Sequence, residues 1–139
     1  MKLYIDATGW LAYYTEKHPY SDDVIKAFEK VKDTGGFLYT SDQVIADTLE
    51  IIRQRIDRDI AVDIADSMSN SKVLKVIYIN EDIMKRAIKL LEKYKDTSFS
   101  NCLNYIIMTD LNIESAVSFD EVFRKMSKFK MYPVLRAKK

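Results

Sequence analysis

Short apolar runs and amphipathic helical stripes alternate along this chain, and that alternation restricts the fold more than any other feature. Leu3, Tyr4 and Ile5 form a brief apolar run that Asp6 closes. Residues 37–39, 73–79 and 115–119 repeat the pattern, and residues 132–135 offer a fifth run. Unalternated runs of this length are the signature of strands buried on both faces. Between them lie helical segments. Residues 8–14 start the first, and residues 21–31 carry Val24, Ile25, Phe28 and Val31 on one face. A helix opened by Ser41 or Asp42 carries Val44, Ile45, Thr48, Leu49, Ile52 and Ile56 as its apolar stripe, with Gln43, Asp47, Glu50 and Gln54 beside it. Residues 57–69 continue with Ile60, Ile64 and Met68 as buried candidates. Asn80 caps a helix that buries Ile83, Ala87, Ile88, Leu91 and Tyr94, and Ser98 or Ser100 caps the next. A short helix spans 121–128. Alternating strands and helices predict an α/β fold with a mainly parallel sheet covered on both faces.

At 139 residues the chain is expected to be one domain, residues 1–139, with a basic segment at 124–139. A formal net charge of +1 names no partner by bulk charge. A single cysteine, Cys102, excludes an internal disulfide and a cysteine-rich metal centre. A single histidine, His18, placed at a turn, argues against histidine-based catalysis. No stretch reads as a leader or a membrane span, so an intracellular, cytoplasmic protein is expected.

Four polar residues share a structural address. Asp6 and Asp120 follow strands, and Asp47 and Asn101 sit at helix starts. In open α/β sheets, ligands bind just past the carboxyl ends of strands. Asp is also an ordinary helix cap, so position alone leaves a capping role open. Bunched carboxylates raise one another's pKa unless a cation neutralises them. Magnesium and manganese favour such oxygen donors, and a site of this kind can polarise a phosphodiester and activate water.

The four segments resemble the motifs of PIN-domain proteins, in particular the small VapC-type toxin ribonucleases of VapBC toxin–antitoxin systems. The opening IDATGW is similar to the family's first motif, with its metal-binding Asp at Asp6. TSDQVIADTLEIIRQR resembles the second, with the acidic position on Asp47, where the family commonly has Glu. TSFSNCLNYIIMTDLNI resembles the third, with Asn101 where the family has Asp. AVSFDEVF resembles the last, giving Ser118 and Asp120. The resemblance implies a PIN-like three-layer fold and a Mg2+- or Mn2+-dependent endoribonuclease. Asp6, Asp47, Asn101 and Asp120 would be the catalytic and metal-binding set, and Thr8, Asn104 and Ser118 would orient ligands or substrate. Asn101 brings an amide oxygen but no negative charge, so a weakened or inactive nuclease is expected.

An RNA substrate calls for basic groups near the site. Arg53, Arg55 and Arg124 are the candidates for RNA or antitoxin contacts, and the run from Arg124 to Lys139 holds seven Lys or Arg and no acid. Trp10, Tyr13 and Tyr14 are either core or the wall of a partner groove. The resemblance further implies a VapB-like antitoxin and a homodimer, the aromatic trio being the surface expected for pairing. The alternative function is a non-catalytic PIN fold that binds RNA or protein. A phosphate-signalling receiver domain fits worse, because the second acidic position lies on a distant helix.

Overall fold

The computed structural model describes residues 1–126 and 128–136. Five strands form one sheet in the order β3-β2-β1-β4-β5. These are β1 (Lys2–Ile5), β2 (Phe37–Ser41), β3 (Leu74–Ile77), β4 (Ser115–Val117) and β5 (Lys130–Tyr132). Every neighbouring pair is parallel. Helices occupy the crossovers: α1 (Ala7–Tyr14) and α2 (Ser21–Asp33), α3 (Asp42–Arg55) and α4 (Arg58–Asn70), α5 (Glu81–Lys93) and α6 (Phe99–Asp110), and α7 (Glu121–Met126). This is the expected α/β architecture, a central parallel sheet flanked by helices.

Packing follows from the apolar stripes. One core holds Leu3, Ile5, Trp10, Val24, Phe28, Ile52 and Val117, under α1 to α4. The other holds Tyr4, Ile83, Leu103, Ile107, Met108, Ile113 and Phe123, under α5 to α7. Cys102 is fully buried there as a small hydrophobe. Helix starts are set by side-chain caps. Ser41, Asp57, Asn80 and Ser98 each accept from a backbone N–H in the first turn of the helix that follows.

Some expectations need correction. The fifth strand is Lys130–Tyr132, not residues 132–135. Pro133 has no N–H to give a ladder, and pairing instead runs Ser115↔Lys130 to Val117↔Tyr132. The last helix is described only to Met126, and residue 127 lies outside the described residues. Ile56, Ile60, Ile88 and Leu91, expected inside, are exposed. On α5 the buried line is Ile83 and Ala87 against α6, and the residues one step around the helix face outward. Of the aromatic trio, Trp10 is withdrawn from any pairing surface, while Tyr13 and Tyr14 are partly buried. Trp10 is buried, and Tyr13 stacks on Phe28 with centroids 4.4 Å apart. Burial pushes the Tyr14 phenol up to about 12.

Among the described residues, no helix is long and apolar enough to cross a membrane. Of the basic C-terminal segment, Lys138 and Lys139 lie outside the described residues.

Candidate functional site

The sheet order reverses between β1 and β4, the type of crevice where open α/β sheets bind ligands. Register places the two strand ends side by side, with Ile5 opposite Val117. Asp6 and Asp120 therefore emerge at the same edge of the sheet. A cleft of about 310 Å³ opens there, lined by Asp6, Thr8, Asp47, Asn101, Asn104 and Asp120, with Glu50, Ser98 and Ser100 among the others.

Asp6 serves as cap and as cleft wall at once. Its Oδ1 accepts from Gly9 N at 2.9 Å, starting α1, and from Thr8 Oγ1 at 2.6 Å. Its Oδ2 accepts from the Ser118 hydroxyl. Thr8 Oγ1 in turn accepts from Phe119 N at 2.8 Å, and Ser118 Oγ accepts from Asp120 N at 3.2 Å. The two hydroxyls thus tie the end of β1 to the turn after β4. Asp120 Oδ1 caps α7 through Phe123 N at 2.9 Å. Thr8 and Ser118 both donate to the Asp6 carboxylate and so fix its orientation.

Asn101 is buried, 4% exposed, in the first turn of α6 behind its cap Ser98. Its Nδ2 donates to Asp120 Oδ1 at 3.2 Å. The amide turns its N–H to Asp120, because two acceptors face to face would repel. Asn104 lies one turn on, and its Oδ1 accepts from the buried Tyr4 hydroxyl at 2.6 Å. It anchors the cleft floor to β1.

Asp47 does not join the other two carboxylates. It stands across the cleft on α3, where Gln43 Nε2 donates to its Oδ1 at 3.1 Å and Ser100 Oγ lies 3.5 Å from its Oδ2. Among the described residues, no three carboxylate, imidazole or thiolate groups close into a ready-made metal nest. The cleft's donors are nevertheless all hard oxygens, and among the described residues no ion pair engages Asp6, Asp47 or Asp120. That donor set fits a magnesium- or manganese-type cation.

The three candidate arginines sit in different settings. Arg53 pairs with Glu50 on the surface of α3, and Arg55 is exposed at its end. Neither lines the cleft. Arg124 reaches back to donate to Ser118 O at 2.7 Å and Pro133 O at 3.0 Å, clamping the turn that carries Asp120. Sequence reading gave no site role to Tyr4, Glu50, Ser98 or Ser100. Glu50 was findable as the i+3 neighbour of Asp47 on one helix face. The Tyr4–Asn104 contact joins residues 100 positions apart and leaves no local signal.

Burial raises the Asp6 carboxyl above its ordinary value. Hydrogen bonds from Ser118, Thr8 and Gly9 oppose the rise, and the Asp120 charge adds to it. The folded protein therefore binds this proton more tightly than the unfolded chain. The group's contribution to stability falls as pH rises from the unfolded carboxylate range through the raised folded value. Asp6→Asn removes that penalty and keeps an acceptor for Thr8 and Gly9. With chelator present, its melting temperature at pH 7 should exceed that of the parent. The gap should shrink as pH falls toward 4. Thermal melts across pH check this, and a lower melting temperature for Asp6→Asn at pH 7 contradicts it.

Residues 3–129 match the PIN domain family. Among solved structures, the chain is similar to VapC20 of Mycobacterium tuberculosis, described as a sarcin-ricin loop cleaving toxin. Identity is 19%, the TM-score is 0.79, and the match covers 90% of this chain and 95% of that one. It is also similar to a chain of VapBC2 from Rickettsia felis, solved bound to a DNA fragment from their promoter. That match has 14% identity, a TM-score of 0.69 and coverages of 94% and 97%. A third, FitAcB from Neisseria gonorrhoeae, shares 7% identity with a TM-score of 0.66, covering 94% of this chain and 96% of that one. No curated protein matches the sequence. With the family match spanning nearly the whole chain, and the cleft formed where that family's motifs meet, this chain belongs to the PIN-domain family.

Proposed function

We propose that this protein is a divalent-metal-dependent endoribonuclease of the toxin–antitoxin type, held at low activity by Asn101. The observation that carries the reading is the joining of Asp6 and Asp120 through Ser118 at the sheet's switch point, with Asn101 bonded to Asp120. Asp6 and Asp120 would hold the cation, and Asn101 would add its Oδ1 after the amide turns over. A magnesium or manganese ion held there would supply Lewis-acid polarisation of a phosphoryl oxygen and activation of water. Thr8 and Ser118 hold the Asp6 carboxylate in one orientation, so little reorganisation is needed on binding. Asp47, facing these groups across the cleft, is set to orient the attacking water by accepting its hydrogen bond.

The fold-level likeness to a sarcin-ricin loop cleaving toxin supports RNA as substrate. The likeness to a VapBC complex supports a small antitoxin as partner. A homodimer acting in the cytoplasm completes the proposal. The second reading is a PIN fold that binds RNA without cutting it. The Asn101–Asp120 hydrogen bond favours it, because that bond satisfies one carboxylate oxygen with no cation.

A cleavage time course on labelled single-stranded RNA tests the reading. Slow cleavage should appear with manganese or magnesium and stop with chelator. Asp6→Ala should lower it by about a hundredfold or more, the scale on which removal of a metal-holding group acts. Cleavage that ignores both chelator and Asp6→Ala contradicts the proposal. Binding without any cleavage favours the second reading.

A further inference from the structure

Beside the acidic cleft lies a second feature that the proposed chemistry does not use. The turn after β4 places Asp120 in the cleft and, one residue earlier, Phe119 on its outer side. The Phe119 ring meets His18 at 4.8 Å and Tyr20 at 5.6 Å between centroids, and His18 and Tyr20 are 6.3 Å apart. All three rings are only partly buried. The His18 turn is fixed, since Tyr20 N donates to its Nδ1 at 3.1 Å. Burial pulls the imidazole below its ordinary value. Two guanidinium groups flank the cluster. Arg124 is clamped to Ser118 O, and Arg136 stacks over Tyr20 at 4.6 Å while its backbone N donates to the Tyr20 hydroxyl at 2.9 Å.

We propose that His18, Tyr20 and Phe119 form a stacking surface for one unpaired base of a single-stranded RNA whose neighbouring phosphate lies over the acidic cleft. The proposal rests on the ribonuclease reading above and deepens it. Aromatic faces accept any base, and guanidinium groups beside them meet the backbone charge. Adjacent α-carbons are 3.8 Å apart, so a base against Phe119 and a phosphate over Asp120 lie within the reach of one nucleotide. A paired duplex keeps its bases stacked inside and cannot use such a surface. RNA is favoured over a protein partner because the rings adjoin the cleft assigned to phosphate and stand between two cations.

Fluorescence anisotropy with a labelled single-stranded RNA, with chelator present to prevent cleavage, tests this. A duplex of the same sequence serves as comparison. Phe119→Leu should weaken single-strand binding about tenfold, within the range for loss of one stacked base. Duplex binding should not change, and the slope of log affinity against log salt should stay the same, since no phosphate contact is lost. Phe119→Tyr should restore the affinity. Phe119 also packs on the core, so His18→Leu provides a second variant on a partly exposed turn, with the same expected loss. If the parent binds single-stranded RNA and neither leucine variant weakens it, the stacking surface is overturned, the ribonuclease reading stands, and the rings are left as packing or a protein-docking face. If the parent binds no single-stranded RNA, the stacking proposal falls, and the ribonuclease reading is decided by the cleavage time course alone.

Discussion

Asn101→Asp should bind manganese or magnesium roughly tenfold to a hundredfold more tightly than the parent and cut RNA faster by at least a similar factor. Asn101 Nδ2 donates to Asp120 Oδ1. Aspartate at that position has nothing to donate and brings a third charge to the side of the cleft that holds Asp6 and Asp120. Two like charges 4 Å apart cost about 4 kcal/mol at an effective dielectric of 20, less where water reaches them. With chelator, the variant should therefore melt below the parent by several degrees. A divalent ion removes the repulsion, so melting temperature should climb steeply with its concentration; saturation at a hundred times the dissociation constant is worth about 2.7 kcal/mol. Asp6→Ala in the same background should abolish the cleavage again, while RNA binding persists through groups outside the cleft. A variant that melts the same with and without manganese, and cuts no faster, would mean that position 101 holds no cation.

Gly9→Ala should lower stability by about 2 kcal/mol, moving the melting temperature down by roughly 8 °C. A Cβ on Gly9 would sit 2.7 Å from the Val117 carbonyl oxygen and 3.0 Å from Ile5 Cγ2 and Val117 Cγ1. The clash is with strand backbone, which cannot rotate away, so α1 has to lift from β1 and β4. Alanine's better helix propensity offsets up to about 1 kcal/mol of the clash. The same displacement pulls on Asp6, whose N–H donates to Val117 O at 3.3 Å and whose Oδ1 accepts from Gly9 N. Metal response should therefore weaken along with stability. Thermal melts with and without manganese check both effects, and a melting temperature within 2 °C of the parent would contradict the account of this contact.

What the sequence makes legible here is local chemistry, and what it hides is geometry between distant segments. The Leu3–Ile5 run, Asn80 as a cap and the stripe on α3 each carry a short-range signal, and each corresponds to an observed element. Ile88 and Leu91 follow the same helical period as buried residues, yet they are exposed, and the main packing partner of α5 is α6. Periodicity gives the face of a helix but not the width of what covers it. Residues 132–135 look apolar, but strand pairing depends on available N–H groups and register with β4. In the site, residue types and strand-end positions pointed to Asp6 and Asp120. The distance of Asp47 was not legible, because it depends on how far α3 and α6 stand apart and on tethers from Gln43 and Ser100. Arg124 reads in sequence as a candidate RNA or antitoxin contact, and its hydrogen bonds to two backbone carbonyls leave no local signal.

Asp6, Asp120 and Asn101 are proposed to form a divalent-cation site at the switch point of the sheet. The most direct measurement is an anomalous difference map from crystals of this protein soaked in manganese chloride. A peak is expected in the cleft against Asp6 and Asp120, with the Asn101 amide turned so that Oδ1 faces the ion. A map with no peak in the cleft, and with Asn101 Nδ2 still bonded to Asp120, would contradict it.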